Sequence, residues 1–127
     1  MPAEQLTIKL TRNFERNLDG VERFLEESEA SDAFDMLLDE LTETVIPNLE
    51  SFPKMGRPFL DRPAQSVEAM GRVAKLRTQL DDLGSGSDIR EYVLSHYLVL
   101  YAVTETMVYL LSIRHHRQLS FDFADLW

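Results

Sequence analysis

The sequence predicts an α+β domain: a small, mostly antiparallel sheet with an N-terminal helix hairpin on one face and a further helix inserted before the last three strands, in the order β-α-α-[α]-β-β-β. Two observations carry this. Apolar residues recur at three- and four-residue steps through two segments between Phe14 and Leu49, the period of helices with one inward face. Three short apolar runs, 89–94, 97–103 and 107–113, then sit almost end to end. That spacing leaves room only for tight turns, hence an antiparallel meander.

The first strand is Leu6-Thr7-Ile8-Lys9-Leu10, where apolar and polar residues alternate as on a strand with one buried face. Thr11 is the expected N-cap of a helix reaching about residue 28, with Phe14, Leu18, Val21 and Leu25 on its inward stripe. Glu26, Glu27 and Glu29 crowd its C-terminal end. Acids there oppose the helix dipole by a few tenths of a kcal/mol to ~1 kcal/mol, so packing must hold the helix. The second helix begins at Ser31 or Asp32 and runs to about residue 49, with Phe34, Leu37, Leu38, Leu41, Val45 and Leu49 inward. Pro47 should distort its last turn, because a proline lacks the amide donor.

The short joint between these helices predicts an antiparallel hairpin. Phe52-Pro53-Lys54-Met55-Gly56-Arg57-Pro58 breaks the periodicity and reads as a loop. Residues 64–83 regain a helical pattern, in which Gly71 costs about 1 kcal/mol relative to alanine, and Gly84-Ser85-Gly86-Ser87 is a linker by composition. The whole, 1–127, reads as a single domain carrying an inserted helical segment at about 61–87. Runs 97–103 and 107–113 are nearly all apolar, so these strands should be central and covered on both faces. The second cover could be the inserted helix, the aromatic tail at 121–127 or a partner chain.

Composition narrows the function. The 127 residues contain no cysteine, which removes disulfides, thiolate metal sites and thiol nucleophiles. The formal net charge is −9, with thirteen acids against six bases in residues 1–60 and nine against seven in 61–127. Coating DNA or RNA relies on many cations displacing counterions, so direct nucleic-acid binding is disfavoured and a protein partner favoured. With no signal-peptide pattern and no run long enough to span a bilayer, the chain reads as soluble and cytoplasmic, with no membrane contact.

The element order, together with the words Phe52 to Pro58, Ile89-Arg90-Glu91-Tyr92-Val93-Leu94, Tyr97-Leu98-Val99-Leu100-Tyr101-Ala102-Val103 and Val108 to Gln118, resembles the RelE/ParE superfamily of type II toxin–antitoxin pairs. The resemblance covers roughly residues 5–60 and 88–120. It implies a growth-arresting toxin held inactive in a hetero-oligomer by a cognate antitoxin encoded next to it, whose C-terminal segment wraps it. Physically, a helix hairpin offers an apolar groove and a sheet edge offers strand addition. Phe14, Leu18, Val21, Leu25, Phe34 and Leu38 are the expected antitoxin contacts.

Two branches of the superfamily do different work. RelE-like members cut messenger RNA on the ribosome, whereas ParE-like members inhibit DNA gyrase without chemistry of their own. Cleavage by a ribose hydroxyl needs proton-transfer groups and cations against the phosphate. Where the nuclease branch carries basic residues, this chain has Glu91, Val93 and Leu98. The ending Ser112-Ile113-Arg114-His115-His116-Arg117-Gln118 instead resembles the ParE-like branch, which implies a gyrase inhibitor with no cofactor. The long 61–87 segment and the acidic net charge depart from the usual pattern.

Arg114, His115, His116 and Arg117, with Arg90 beside them, are therefore the expected target-binding residues, and His115, His116 and Arg117 the catalytic candidates if the chain is a nuclease. Successive strand residues point to opposite faces, so a surface or partner-facing role for the histidine pair outweighs catalysis. Zinc binding is disfavoured, since His96 is the only further histidine. The arginines serve a target, or pair with acids of the chain's own helices. Tyr101 is the one tyrosine whose hydroxyl could be functional, and the acid-rich hairpin is a solvated face unless it receives a basic antitoxin segment.

Overall fold

A computed structural model describes residues 6–58, 78 and 88–117. Within them the chain forms β1 (Thr7–Leu10), α1 (Arg12–Glu27), α2 (Ser31–Glu40), a π-helical turn (Leu41–Val45), α3 (Ile46–Ser51), β2 (Arg57–Pro58), β3 (Asp88–Val93), β4 (Tyr97–Val103) and β5 (Met107–His115). The expected helix over 64–83, the 84–87 linker and the 121–127 tail lie outside the described residues, apart from Thr78, which is helical.

The strands form one sheet in the order β1-β5-β4-β3-β2. It is mixed: β1 runs parallel to β5, with Thr7 opposite Met107 and Leu10 opposite Leu110, while the other pairs are antiparallel. The meander closes through two-residue turns. Leu94 N donates to Tyr97 O at 2.8 Å around Ser95-His96, and Thr104 N to Met107 O at 2.9 Å around Glu105-Thr106. As the apolar runs predict, β4 is central and buried along its whole length. Tyr97, Val99, Tyr101 and Val103 join Phe14, Leu37, Leu41, Val45, Leu49, Val108 and Leu110 in the core. Leu98, Leu100 and Ala102, which alternate with them along the strand, are buried as well. Each large aliphatic or aromatic side chain taken out of water contributes roughly 1.5–3 kcal/mol.

Helix α1 begins at the expected cap, where Thr11 Oγ1 accepts from Phe14 N at 3.2 Å. It ends in a Schellman arrangement: Ala30 N donates to Leu25 O at 2.7 Å, Glu29 N donates to Glu26 O, and Glu29 is left-handed at φ 57. Glycine is the residue that bears this conformation cheaply; here a glutamate bears it. The single helix expected from 31 to 49 is a composite. Pro47 has no amide hydrogen, and its ring would collide with the Glu43 carbonyl in an uninterrupted α-helix. The ladder widens just before it, with Ile46 N bonding to Leu41 O across the π turn.

Candidate functional site

The end of β5 carries the cationic residues, and α1 places it. Strand β1 stops at Leu10, opposite Leu110, yet β5 continues to His115. Where the neighbouring strand ends, side chains from the first turns of α1 take over the edge. Thr11 Oγ1 donates to Leu110 O at 2.8 Å, and Asn13 Nδ2 donates to Leu111 O at 2.9 Å. Asn17 Oδ1 accepts from Ser112 Oγ at 2.7 Å and from Ile113 N at 3.2 Å. Leu111 is the extra residue of a β-bulge, since Leu100 faces Ser112 while Tyr101 faces Leu110. A bulge bends its strand, and these polar side chains satisfy the backbone groups it displaces.

Beyond Ile113 the chain turns. His115 stacks edge-on against Tyr97, with ring centroids 5.2 Å apart at 88°, and its Nδ1 accepts from Arg117 N at 3.1 Å. That bond places the ring proton on Nε2. The pKa of His115 is lowered by burial first, then by the charges of Arg117, His116 and His96. His116 N donates to His96 O at 3.1 Å, and its Nε2 lies 3.2 Å from Leu94 O, where it donates. From the helix side, Glu40 Oε2 accepts from both Ser95 N and Ser95 Oγ at 3.2 Å. The Leu94–His96 turn is thus held between α2 and the cationic segment.

These elements enclose an open groove of about 1230 Å³. Val21, Phe24 and Leu25 of α1 and Ala33, Met36 and Leu37 of α2 form its apolar part. Arg16, Asn17, Glu40 and the 95–97 turn lie along it with Arg114, His115, His116 and Arg117. The structure therefore joins four of the five expected target-binding residues to the helix hairpin.

Arg90 is not part of this group. It pairs with Tyr101, three residues from the Leu98 that faces Arg114, so it lies about 10 Å along the sheet and two strands away. Its Nε donates to Asp88 at 2.8 Å, and Nη1 donates to Lys54 O at 3.0 Å and Gly56 O at 2.7 Å. It ties the 52–58 segment to β3. Tyr101 does the same from beneath, being fully buried with its hydroxyl accepting from Gly56 N at 2.9 Å. Burial raises the Tyr101 pKa, against lowering by the Gly56 amide and by Arg90. This hydroxyl is structural.

Of the expected antitoxin contacts, Phe14 is 0% exposed and offers no surface to a partner, and Leu25 is nearly as deep. Leu18, Val21 and Phe34 are partly buried against the core, and Leu38 is half-buried. Sequence reasoning missed Phe24 and Met36, which are 66% and 70% exposed. Their signal was present, since both are large apolar residues off the inward stripes of their helices. It also missed Arg16, Asn17 and Glu40, which are ordinary helix-surface residues until the sheet is placed.

The positions at which the nuclease branch holds cations are filled otherwise. Glu91 is 1% exposed, with Arg57 Nε 3.2 Å from its Oε1, and Leu98 is a core residue. Among the described residues no cluster of His, Asp or Glu could hold a metal ion, and no helix is long and apolar enough to cross a membrane. Comparison with curated proteins finds no match. A family model described as the ParE toxin of the type II toxin–antitoxin system parDE matches residues 8–120, nearly the whole chain. The chain belongs to the ParE toxin family of type II toxin–antitoxin systems.

Proposed function

We propose that this chain arrests growth by binding DNA gyrase through Arg114, His115, His116 and Arg117, and that a cognate antitoxin of the ParD type, which family membership implies, holds it inactive. The observation that carries this reading is what stands where a nuclease holds cations: Glu91, 1% exposed and paired with Arg57, and Leu98, a core residue. His115 Nδ1 accepts a backbone N–H and His116 Nε2 donates to a backbone carbonyl. A nuclease needs such groups for proton transfer and needs cations where Glu91 and Leu98 stand. A protein-binding surface needs only charge, shape and a few anchors. Leu18, Val21, Phe34 and Leu38 are the antitoxin contacts on this reading, and Arg90 acts by holding the 52–58 segment.

The test is pulse-labelling of DNA and protein synthesis in a bacterial host in the first minutes after inducing the chain alone. DNA synthesis falling first, with translation continuing, is the expected result. Translation collapsing first would transfer the chain to ribosome-dependent RNA cleavage, with His115, His116 and Arg117 as catalytic residues. No growth arrest at all would mark a non-toxic, antitoxin-binding relic.

A further inference from the structure

We infer that two copies of this chain pair through α1, antiparallel about a two-fold axis, each laying that helix in the other's groove. The inference goes beyond the reading above and requires nothing of it. It starts from a glycine. Gly20 stands in the interior of α1, where glycine weakens a helix relative to alanine. A Cβ built there meets nothing within 4 Å, so among the described residues no neighbour requires the position to be small. An exposed helix position without a side chain, open above, suits the close approach of another molecule.

The residues around Gly20 say which molecule. Arg16, Gly20, Phe24 and Glu27 follow one another at steps of four, four and three, which sets them on one stripe of the helix. That stripe is separate from the Phe14, Leu18, Val21 and Leu25 stripe that packs toward the core. All four residues are exposed. Their order is cation, gap, ring, anion, and it complements itself when read backwards. In an isologous contact residue i meets j while j meets i. With the axis beside residue 22, Phe24 of each copy enters the space over Gly20 of the other, and Arg16 of each lies beside Glu27 of the other. One axis serves both pairings. From residue 16 to residue 27 the contact runs about 16 Å, at about 1.5 Å per residue.

The rest of the groove accepts the same helix. Between residues 15 and 27 five carboxylates stand against two arginines, whereas the far side of the groove carries Arg114, His115, His116 and Arg117. In a chain of net charge −9, a second α1 therefore meets its opposite charge here, which fixes where it docks more than how tightly it binds. Met36, 70% exposed on α2 and lining the same groove, adds apolar surface beside Phe24. A helix lying there covers Arg114 to Arg117. Only separated copies then present those residues to anything else.

Sedimentation velocity of the full chain over a concentration series reads the association. The parent should form dimers and no larger species, since a two-fold contact closes on itself, and the dimer should weaken at high salt. Gly20→Ala should leave the fold at least as stable toward urea in dilute solution, yet weaken the dimer about tenfold or more, because a methyl fills the space that the ring enters. Phe24→Ser should weaken it about 10- to 100-fold, as loss of an anchor does. Arg16→Glu and Glu27→Arg should each weaken it about tenfold, and the two together in one chain should restore it, because the reversed charges meet again across the axis. Phe52→Ser, an exposed ring at the end of α3, should dimerise within about twofold of the parent. The inference is overturned by a parent that stays monomeric up to about 1 mM, by open chains of copies, by a dimer indifferent to Gly20→Ala and Phe24→Ser, or by a double reversal as weak as the single ones. None of these outcomes touches the reading of the chain as a gyrase-binding toxin, which pulse-labelling tests separately.

Discussion

Asn17→Ala removes the side chain that holds the last part of β5. Asn17 Oδ1 accepts from Ile113 N at 3.2 Å and Ser112 Oγ at 2.7 Å. Ile113 is 4% exposed, so its amide gains no water when the acceptor goes. A buried donor left unmade costs about 1–3 kcal/mol. The Ser112 hydroxyl can rotate toward another acceptor and adds little. The expected loss is therefore roughly 1–3 kcal/mol, which at a urea m-value of about 1–3 kcal/mol/M moves the midpoint by roughly 1 M. Urea unfolding followed by circular dichroism measures the total, and amide exchange at Ile113 measures its place. Val99, opposite Ile113 on β4, should keep its protection while Ile113 loses its own. Asn17→Asp retains an acceptor oxygen and should stay near the parent. A midpoint within about 0.5 kcal/mol of the parent, with Ile113 still protected, would refute the claim that α1 replaces a strand at this edge.

Gly56→Ala builds a Cβ within 2.8 Å of Tyr101 Cε1 and closer still to Glu91 O and the Tyr101 hydroxyl. Since a backbone carbonyl cannot step aside, chemical denaturation should show a loss of about 1–3 kcal/mol, the usual cost of overpacking, and Tyr101→Phe should recover part of it. Glu29→Gly should raise stability by about 1 kcal/mol, because it relieves the left-handed backbone at φ 57 without touching the Schellman hydrogen bonds. In an NMR titration His115 should turn over below the ordinary value of 6.5, as burial and the charges of Arg117, His116 and His96 disfavour its cation. The folded ring then binds fewer protons than the unfolded one. Its contribution to stability is complete above pH 6.5 and is lost as pH falls from there toward the folded pKa; a midpoint at or above 6.5 would contradict the geometry at Tyr97 and Arg117.

By itself, the sequence determined what local chemistry controls. Thr11 caps α1, alternation marks β1, three- and four-residue steps mark the hairpin, and the continuous apolar run of β4 requires a central strand. Pro47 announced a disturbed helix, although a local rule could not say that the ladder would widen into a π turn one residue ahead of it. The cationic ending and its family were legible for the same reason, being contiguous in the chain. Contacts across the chain were not. The parallel pairing of β1 with β5 joins residues about a hundred positions apart, and only that pairing explains why Asn13 and Asn17 complete the edge of β5. Arg90 looked equivalent to Arg114 because both are arginines on meander strands, whereas the register sets them two strands and about 10 Å apart and gives Arg90 to the 52–58 segment. Phe14 and Phe24 look alike as helix aromatics, yet one is core and the other is groove. Helical periodicity specifies a direction around an axis; what lies in that direction is decided by where the next layer packs.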